Sequence, residues 1–492
     1  MNAKAWTSER INVRLRNSRN GGRAMVNYGF AIDNRKCIGC HACTVACKSE
    51  HDVAIGVNRT HVKYIETGEY PNSNREFSVH RCNHCEDAPC TKICPTTALF
   101  TRSDGIVDFD DDRCIGCKSC MQACPYDALY IDPNKGTAAK CNYCAHRLEN
   151  SYEPACVIVC PVEAIVSGDL HDSQSSLSIL IAENKTTVRK PEAGTIPNVY
   201  YLDTSEEMLN PLASEKTAIT MWGEQAAGVG HFAKYAQERM GATDEHSMLV
   251  QLAMEVKAKD AAPRDAAIIR DVAAKLADNS PKAKRAYDAP SKGILWGWEV
   301  SAYIWTKAVA SGTYMVAMMA WLMGYLDMTD LWWPITTIGL VFLSLTGALL
   351  LKDLDRPERF LYVMLRPNWD SWLVKGAYIL AAYGGILSAT AAVLLFGLDE
   401  VYLRYLAYIG IPASLLTGVY TAWLLQQAKA RSWATDKWLP LKFLFETAAI
   451  GAATLLLLIG NATIVVAAIC ALLAFWLHGH HIIEKPQIQA LA

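Results

Sequence analysis

Sixteen of the seventeen cysteines lie between Cys37 and Cys160, in four groups of four. Two groups have the spacing C-x2-C-x2-C-x3-C, and the other two begin with C-x2-C and end with C-x3-C before proline. The groups are Cys37, Cys40, Cys43, Cys47; Cys82, Cys85, Cys90, Cys94; Cys114, Cys117, Cys120, Cys124; and Cys141, Cys144, Cys156, Cys160. Three of them continue, two residues after a proline, into an apolar pair, so the chain contains an internal repeat. Thiols at this density constrain the fold strongly, because the chain must fold around what they bind or around the bonds they form.

The spacing fits [4Fe–4S] clusters, each of which needs four thiolates. A C-x2-C-x2-C loop supplies three of these thiolates, and small residues such as Gly39 and Gly116 let the backbone approach the cluster. The cysteine before proline ligates the other cluster of a pair. Zinc also takes four thiolates, but it needs neither the third cysteine nor the proline ending. Disulfides suit secreted chains, and we expect no secretory signal or twin-arginine pair at this N-terminus. Sixteen ligands at four for each cluster therefore predict four clusters.

The stretch from about Tyr28 to Tyr201 resembles the four-cluster electron-transfer subunits of molybdopterin oxidoreductases, such as the dimethyl sulfoxide, polysulfide and tetrathionate reductases. Beyond the cysteines, the match includes GDL from Gly168 and the run RKPEAGTIPNVYY from Arg189. The resemblance implies an α+β ferredoxin-like double module with four ligand sets. These sets are Cys37, Cys40, Cys43 with Cys160; Cys141, Cys144, Cys156 with Cys47; Cys82, Cys85, Cys90 with Cys124; and Cys114, Cys117, Cys120 with Cys94.

Composition divides the chain into a polar, charged N-terminal part and an apolar C-terminal part. The predicted segments are a basic arm (1–27), a four-cluster domain (28–202), a helical linker (203–292), a transmembrane domain (293–482) and a tail (483–492). Amphipathic helices are predicted in the linker because apolar residues between 244 and 279 recur at helical spacing. The net charge of −2 gives no reason to expect a nucleic-acid partner.

Six apolar runs in the C-terminal part approach or exceed the ~20 residues that a helix needs to cross a bilayer. The runs are Ala302–Leu326, Trp332–Leu351, Gly376–Leu398, Tyr405–Gln426, Phe443–Ile459 and Ala462–Leu477. Tryptophans lie at the ends of several runs, as anchors at a membrane interface do. The sequence therefore predicts an all-α transmembrane helix bundle of about six spans after the cluster domain.

Roughly residues 295–480 resemble the NrfD family, the quinone-binding membrane subunits of polysulfide reductase and its relatives. The match includes Trp298, Tyr303 and Gly312 near the first run, and KDLDRPERF from Lys352 to Phe360. The resemblance implies an exchangeable quinone, menaquinone or ubiquinone, and no haem is expected.

Ionisable residues inside the membrane cost free energy, so they mark candidate functional sites. We expect such residues near the start of the first run and after the second run to form the polar end of a quinone pocket, because quinone chemistry exchanges protons as well as electrons. The expected pocket residues are Lys307, Glu299, Tyr303, Asp353, Asp355 and Arg359. The alternative for Lys307 is an amine that reaches the lipid headgroups. Glu446 in the fifth run fits a proton path or a pair with a basic loop.

Two loops, after the second and fourth runs, hold nine lysines and arginines, whereas the opposite loops hold only Arg404. The nine are Lys352, Arg356, Arg359, Arg366, Lys375, Lys429, Arg431, Lys437 and Lys442. By the positive-inside rule, this asymmetry predicts a multi-pass inner-membrane protein with its cluster domain in the cytoplasm. An exported cluster domain, carried by a partner with a twin-arginine signal, is the alternative.

These features predict an electron-transfer and membrane-anchor subunit of a respiratory oxidoreductase, in which cluster domain and quinone module are fused. The substrate chemistry is expected on a separate catalytic subunit, of molybdopterin type by the resemblance. The alternatives are the equivalent subunit of a hydrogenase complex and an ion-translocating redox module.

Overall fold

The computed structural model describes residues 26–68, 72–211, 214–216, 283–288, 292, 294–460 and 462–488. Nearly all of the predicted basic arm and the amphipathic stripes predicted between residues 244 and 279 lie outside the described residues. The elements named below are numbered in chain order within the described ranges.

The cluster domain is built from short strands and short helices. Its strands are β1 (Tyr28–Asp33), β2 (Thr60–Thr67), β3 (Asn74–Arg81), β4 (Leu99–Thr101), β5 (Val107–Phe109), β6 (Leu129–Asp132), β7 (Thr137–Lys140), β8 (Ile165–Asp169), β9 (Thr186–Thr187) and β10 (Val199–Leu202). Its helices are α1 (Ala42–Glu50), α2 (Pro89–Ile93), α3 (Ser119–Ala123), α4 (Ala145–Leu148), α5 (Ala155–Ile158) and α6 (Ser176–Glu183). One sheet has the order β8-β1-β10-β9, with β1 parallel to β10, while β4–β5 and β6–β7 form separate hairpins. The domain is therefore α+β, as predicted.

The cysteine loops repeat in conformation as well as in sequence. Gly39 and His41 in the first loop have φ of 67° and 58°, and Gly116 and Lys118 in the third loop have φ of 70° and 58°. This left-handed conformation costs a side chain energy except at glycine, so its recurrence at His41 and Lys118 indicates that the cysteine geometry determines it. The equal spacing along the chain therefore produces two equal loops.

Part of the predicted helical linker, including two short strands, joins the cluster domain. Within 203–292, the described elements are α7 (Glu206–Leu209), β11 (Glu215–Lys216) and β12 (Lys284–Tyr287). Strand β12 pairs antiparallel with β2 in a sheet of order β11-β12-β2-β3, where it satisfies backbone groups that the edge of β2 would leave open. A buried ion pair of 2.9 Å between Lys63 and Asp288 fixes the strand. The secondary structure of this segment is therefore determined by long-range strand pairing, which the local sequence does not indicate.

The C-terminal half is a helical bundle. Its helices are α8 (Trp298–Leu322), α9 (Trp332–Lys352), α10 (Tyr362–Leu365), α11 (Trp372–Leu395), α12 (Glu400–Gln427), α13 (Leu439–Ile459) and α14 (Ala462–Ile488). Five segments of the described residues are long and apolar enough to cross a membrane: all or part of α9, α11, α12, α13 and α14. Helix α14 continues past the predicted domain boundary at residue 482.

Helix α8, which corresponds to the first predicted span, is not among these five. It lies at the centre of the bundle, packed against α9, α12, α13 and α14. Gly312 of α8 meets Gly451 of α13 so closely that a Cβ at either position would clash with the backbone of the other helix. Most of its residues are covered by protein, so α8 can carry Lys307 and several hydroxyl side chains that a lipid-facing helix could not.

Candidate metal centres and membrane site

All seventeen cysteines lie in the described residues, and none of them forms a disulfide. Four of them, Cys94, Cys114, Cys117 and Cys120, line one cavity. Four others, Cys47, Cys141, Cys144 and Cys156, line a second cavity. These are two of the four ligand sets implied by the sequence resemblance, and each unites a loop of three cysteines with one distant cysteine.

The remaining two sets are also brought together. The thiol of Cys85 has Cys82, Cys90 and Cys124 as its electrostatic neighbours. In the other set, Cys37 neighbours Cys40 and Cys160, and Cys43 neighbours Cys37. We call the sets tetrad A (Cys37, Cys40, Cys43, Cys160), tetrad B (Cys47, Cys141, Cys144, Cys156), tetrad C (Cys82, Cys85, Cys90, Cys124) and tetrad D (Cys94, Cys114, Cys117, Cys120).

Cysteines of each two successive tetrads lie within electrostatic range of each other. Tetrads A and B meet through Cys43 and Cys156, and tetrads B and C meet through Cys141 and Cys82. Tetrads C and D meet through Cys90, which neighbours Cys94. The four sets therefore form a row in the order A, B, C, D.

The tetrads surround spaces instead of converging on a point. Among the described residues, no three His, Cys, Asp or Glu side chains are placed to hold a single metal ion. Burial, together with the neighbouring cysteines, raises the pKa of the thiols, to about 11 in Cys43 and about 12 in Cys117 and Cys144. Thiolates so placed need a positively charged group among them, which an iron–sulfur cluster supplies through its iron atoms. The residues therefore fit clusters with thiolates at separate corners.

Several N–H groups point at the sulfur atoms. The backbone N–H of Ala138 donates to Cys114 Sγ at 3.3 Å, and that of Ala164 donates to Cys160 Sγ at 3.2 Å. Arg81 Nη1 donates to Cys156 Sγ at 3.1 Å, and His51 Nε2 lies 3.2 Å from Cys144 Sγ. Neither Arg81 nor His51 was predicted from the sequence, although the position of Arg81 directly before Cys82 is a signal that sequence offers.

The loop from Lys352 to Phe360 contacts the cysteine loop of tetrad D. Lys118 forms a 3.1 Å ion pair with Asp355, and Arg359 Nη1 donates to the carbonyls of Asp111 at 2.6 Å and Cys114 at 3.2 Å. Further contacts to this tetrad come from Trp296 Nε1, which donates to Cys117 O at 3.3 Å, and from Asn368 Nδ2, which donates to Cys94 O at 2.7 Å. Tetrad D is thus the end of the row that lies against the membrane half.

The structure separates the six expected quinone-pocket residues into three levels. Asp355 and Arg359 contact the cluster domain directly. Glu299, at the start of α8, forms a 3.5 Å ion pair with Lys352 at the end of α9. Glu299 is also close enough to Asp353 for mutual repulsion. Burial, with repulsion from Glu299 and Asp355, raises the pKa of Asp353 to about 7. Tyr303 is buried and within electrostatic range of Asp353.

Lys307 lies deeper and is fully buried among helices. Its Nζ donates to Thr421 Oγ1 and lies 4.4 Å from the centre of the Tyr420 ring. Its acidic neighbour is Glu446 of α13, which lines a small cavity together with Ser301 and Gly479. Thr421 and Tyr420 were not predicted from the sequence, because nothing local distinguishes them from other residues of α12.

A row of cysteine tetrads leading to a bundle of membrane-length helices defines an iron–sulfur electron-transfer protein with its own membrane anchor. Family models match in the same arrangement: "4Fe-4S binding domain" over residues 35–53, "4Fe-4S dicluster domain" over 74–170 and "Polysulphide reductase, NrfD" over 288–468. The protein belongs to the family of the iron–sulfur subunits of dimethyl sulfoxide, tetrathionate and polysulfide reductases, and it carries an NrfD domain in the same polypeptide. The predicted fusion is confirmed.

Three curated relatives illustrate the similarity. A protein of Halobacterium salinarum named as a dimethyl sulfoxide reductase iron–sulfur subunit is 37% identical over 250 residues, which are 45% of this chain and 93% of the relative. A tetrathionate reductase subunit of Salmonella typhimurium is 39% identical over 211 residues, 42% of this chain and 84% of the relative. A polysulfide reductase subunit of Wolinella succinogenes is 40% identical over 176 residues, 35% of this chain and 92% of the relative.

Proposed function

We propose that this chain carries electrons between a separate catalytic subunit and membrane quinone, through four [4Fe–4S] clusters held by tetrads A to D. The observation that carries the proposal is the contact between tetrad D and the Lys352–Phe360 loop, since this loop also holds the residues that border the expected quinone pocket. When bound, the clusters supply one-electron redox centres. The chain supplies their thiolates, their row and the connection to the membrane.

The membrane end of the row is suited to quinone chemistry. A quinone that takes up two electrons also takes up two protons, so it needs a titratable group within reach. Asp353 is such a group: it lies just after α9, within electrostatic range of both Lys118 of the cysteine loop and Tyr303 of α8. We assign Asp353 to proton delivery, and Lys307 and Tyr303 to binding of the quinone oxygens.

This assignment predicts a pH dependence. Because its pKa is raised to about 7, Asp353 is protonated below that pH and ionised above it. The rate of quinone reduction is expected to fall about tenfold for each pH unit above 7, in step with the protonated fraction. The Asp353→Asn variant should be slower and should lose this pH dependence, whereas Asp370→Asn, a change outside the proposed proton route, should keep it. Stopped-flow reduction of a soluble quinone analogue between pH 5.5 and 9 measures both.

The opposite end of the row is suited to a protein partner. Tetrad A includes the exposed Cys40, and apolar side chains project to solvent beside it. Ile38 is 55% exposed, Val45 of α1 is 64% exposed and Ile158 of α5 is 57% exposed. A catalytic subunit that transfers electrons here must approach closely, and an apolar surface around the least buried tetrad favours such an approach. We propose this surface as the binding site of the catalytic subunit, of molybdopterin type by the family resemblance.

Charging this surface should release the catalytic subunit. In the double variant Val45→Asp/Ile158→Asp, two apolar contacts are replaced by carboxylates, and binding is expected to weaken roughly thirtyfold or more. Iron content should be unchanged, because neither side chain is a ligand. The matched control is Ile179→Asp on α6, which is 41% exposed but belongs to another part of the domain. Co-purification of the subunits followed by an iron assay gives the result, and undiminished co-purification would contradict the proposed surface.

We also propose that all six long helices cross the membrane. The support is connectivity: the start of α8, the loop after α9, the loop after α12 and the end of α14 all contact the cluster domain. For example, Arg431 Nε donates to Gln122 Oε1 at 2.6 Å, and Gln122 Nε2 donates to Gln487 Oε1 at 2.6 Å. A chain that returns to one side after each pair of helices crosses an even number of times. With the basic loops on that side, the cluster domain is assigned to the cytoplasmic face of the inner membrane.

A second function, coupling of electron flow to proton transfer, is favoured by polar groups around α8. Glu446 and Ser301 line the same small cavity, Ser301 Oγ lies 3.1 Å from His480 Nδ1, and His480 Nε2 lies 3.1 Å from Glu484. These groups connect the surroundings of Lys307 with the cluster-facing end of α14. The Glu446→Gln variant tests this function. If it keeps quinone turnover but loses proton uptake into vesicles, electron flow is coupled to proton transfer.

Elemental analysis of the purified complex tests the proposed function most directly. Four [4Fe–4S] clusters require about sixteen iron atoms for each chain. Molybdenum or tungsten in addition would identify a molybdopterin partner, whereas nickel would indicate a hydrogenase complex. Stoichiometric zinc with little iron would refute the proposal.

A further inference from the structure

The side chain of Arg81 is buried beside tetrad B. It ends β3, directly precedes Cys82 of tetrad C and is 2% exposed. Its guanidinium lines the tetrad B cavity, donates to Cys156 Sγ at 3.1 Å and lies 4.7 Å from the centre of the Phe30 ring. A permanent positive charge is thus enclosed among the cysteines.

No carboxylate of the described residues neutralises this charge. The ion pairs of that part of the chain do not include Arg81, and its Nε and Nη2 have no hydrogen-bond partner there. A buried charge without a partner is strongly destabilising, so a counter-charge is required. The candidates are sulfur atoms: that of Cys156 in tetrad B, which accepts the hydrogen bond at 3.1 Å, and those of Cys141 in tetrad B and Cys43 in tetrad A, which lie within electrostatic range.

We infer that Arg81 is a counter-ion shared by tetrads A and B, and that it sets the reduction potentials of the two clusters these tetrads would hold. Reduction adds negative charge to a cluster, and a fixed cation at short distance in a dry interior favours that state. Arg81 therefore raises both potentials relative to those that the same two clusters would have without it. The inference rests on the proposed function, because it assumes that the tetrads hold clusters.

Potentiometric titration of the purified complex, followed by electron paramagnetic resonance, tests the role. In Arg81→Gln, two of the four cluster signals are expected at more negative midpoint potentials, and the other two should not move. Arg113→Gln is the matched control: Arg113 also directly precedes a cysteine loop, but its side chain is 42% exposed and pairs with Asp110 at 3.0 Å. This variant should leave all four potentials at their wild-type values.

The conservative variant separates charge from packing. Arg81→Lys keeps the positive charge, so it should retain iron and have potentials close to the wild-type values. This expectation holds even where Arg81→Gln loses iron. The inference is overturned if iron-replete Arg81→Gln has wild-type potentials, or if Arg81→Lys loses iron. Both results leave the proposed function intact, because wild-type iron content and the four signals test that function separately. A wild-type complex without iron would overturn both.

Discussion

The Cys117→Ala variant is expected to lose electron transfer to quinone, by roughly 100-fold or more, while the remaining tetrads stay loaded. Cys117 belongs to tetrad D, and its carbonyl accepts the Trp296 Nε1–H bond at the junction with the membrane half. Because this tetrad alone adjoins the Lys352–Phe360 loop among the described residues, an incomplete set of thiolates here breaks the row at its membrane end. Iron should fall below about sixteen atoms per chain, and one cluster signal should disappear.

Electron entry from reduced viologen dye should persist in this variant, since tetrads A to C are untouched. The control is Cys470→Ala, because Cys470 is an exposed cysteine of α14 that lies outside the four sets. It should leave iron content and quinone reduction unchanged. Wild-type quinone reduction in Cys117→Ala would show that tetrad D is not required for electron transfer to quinone.

Lys307→Met should abolish quinone turnover without affecting the iron content. The amine of Lys307 is enclosed by Thr421, Tyr420 and Phe443 in the centre of the bundle, and a cation is retained at such a depth only where it has a function. Loss of one positioned donor to the reacting oxygen costs about 10² to 10³ in rate. Quinone-reductase activity of the detergent-solubilised complex is the measurement.

The matched control is Lys442→Met at the start of α13, whose side chain is 57% exposed and pairs with Asp436 at 2.6 Å. Its activity should stay within about twofold of the wild type, since an exposed ion pair contributes little. If Lys307→Met retains full turnover, Lys307 has no part in the quinone site.

The sequence was most informative where chemistry demands a fixed spacing. Three close cysteines must share a loop, so the loops of tetrads A and D could be predicted from the spacing, whereas their α+β surroundings were implied by the family resemblance. The pairing of Cys47 with the Cys141 set needed the family resemblance, since spacing alone does not join residues so far apart. Arg81 could not be assigned from sequence because its role depends on burial beside Cys156, a contact between residues 75 positions apart.

In the membrane half, hydropathy predicted the helices better than their environment. Lipid-facing helices such as α11 must be apolar, so hydropathy identifies them easily. Helix α8 is covered by protein, so its residues need not be apolar. The same burial brings Lys307 to Tyr420 and Thr421, which are more than 100 positions away. Strand β12 was predicted as part of a helical linker because its pairing partner, β2, is equally remote in sequence.

The junction between the two halves has a thermodynamic consequence. Arg359, Asn368 and Ser371 of the membrane half donate to backbone carbonyls of the cluster domain, at Cys114, Cys94 and Ile93. The positions of these carbonyls depend on how the cysteine loop wraps its contents. Metal loading and docking are therefore linked equilibria: each stabilises the other by the same free energy. A chain whose loop is empty should hold its membrane half more weakly, so that incomplete maturation appears as loosened attachment between the halves.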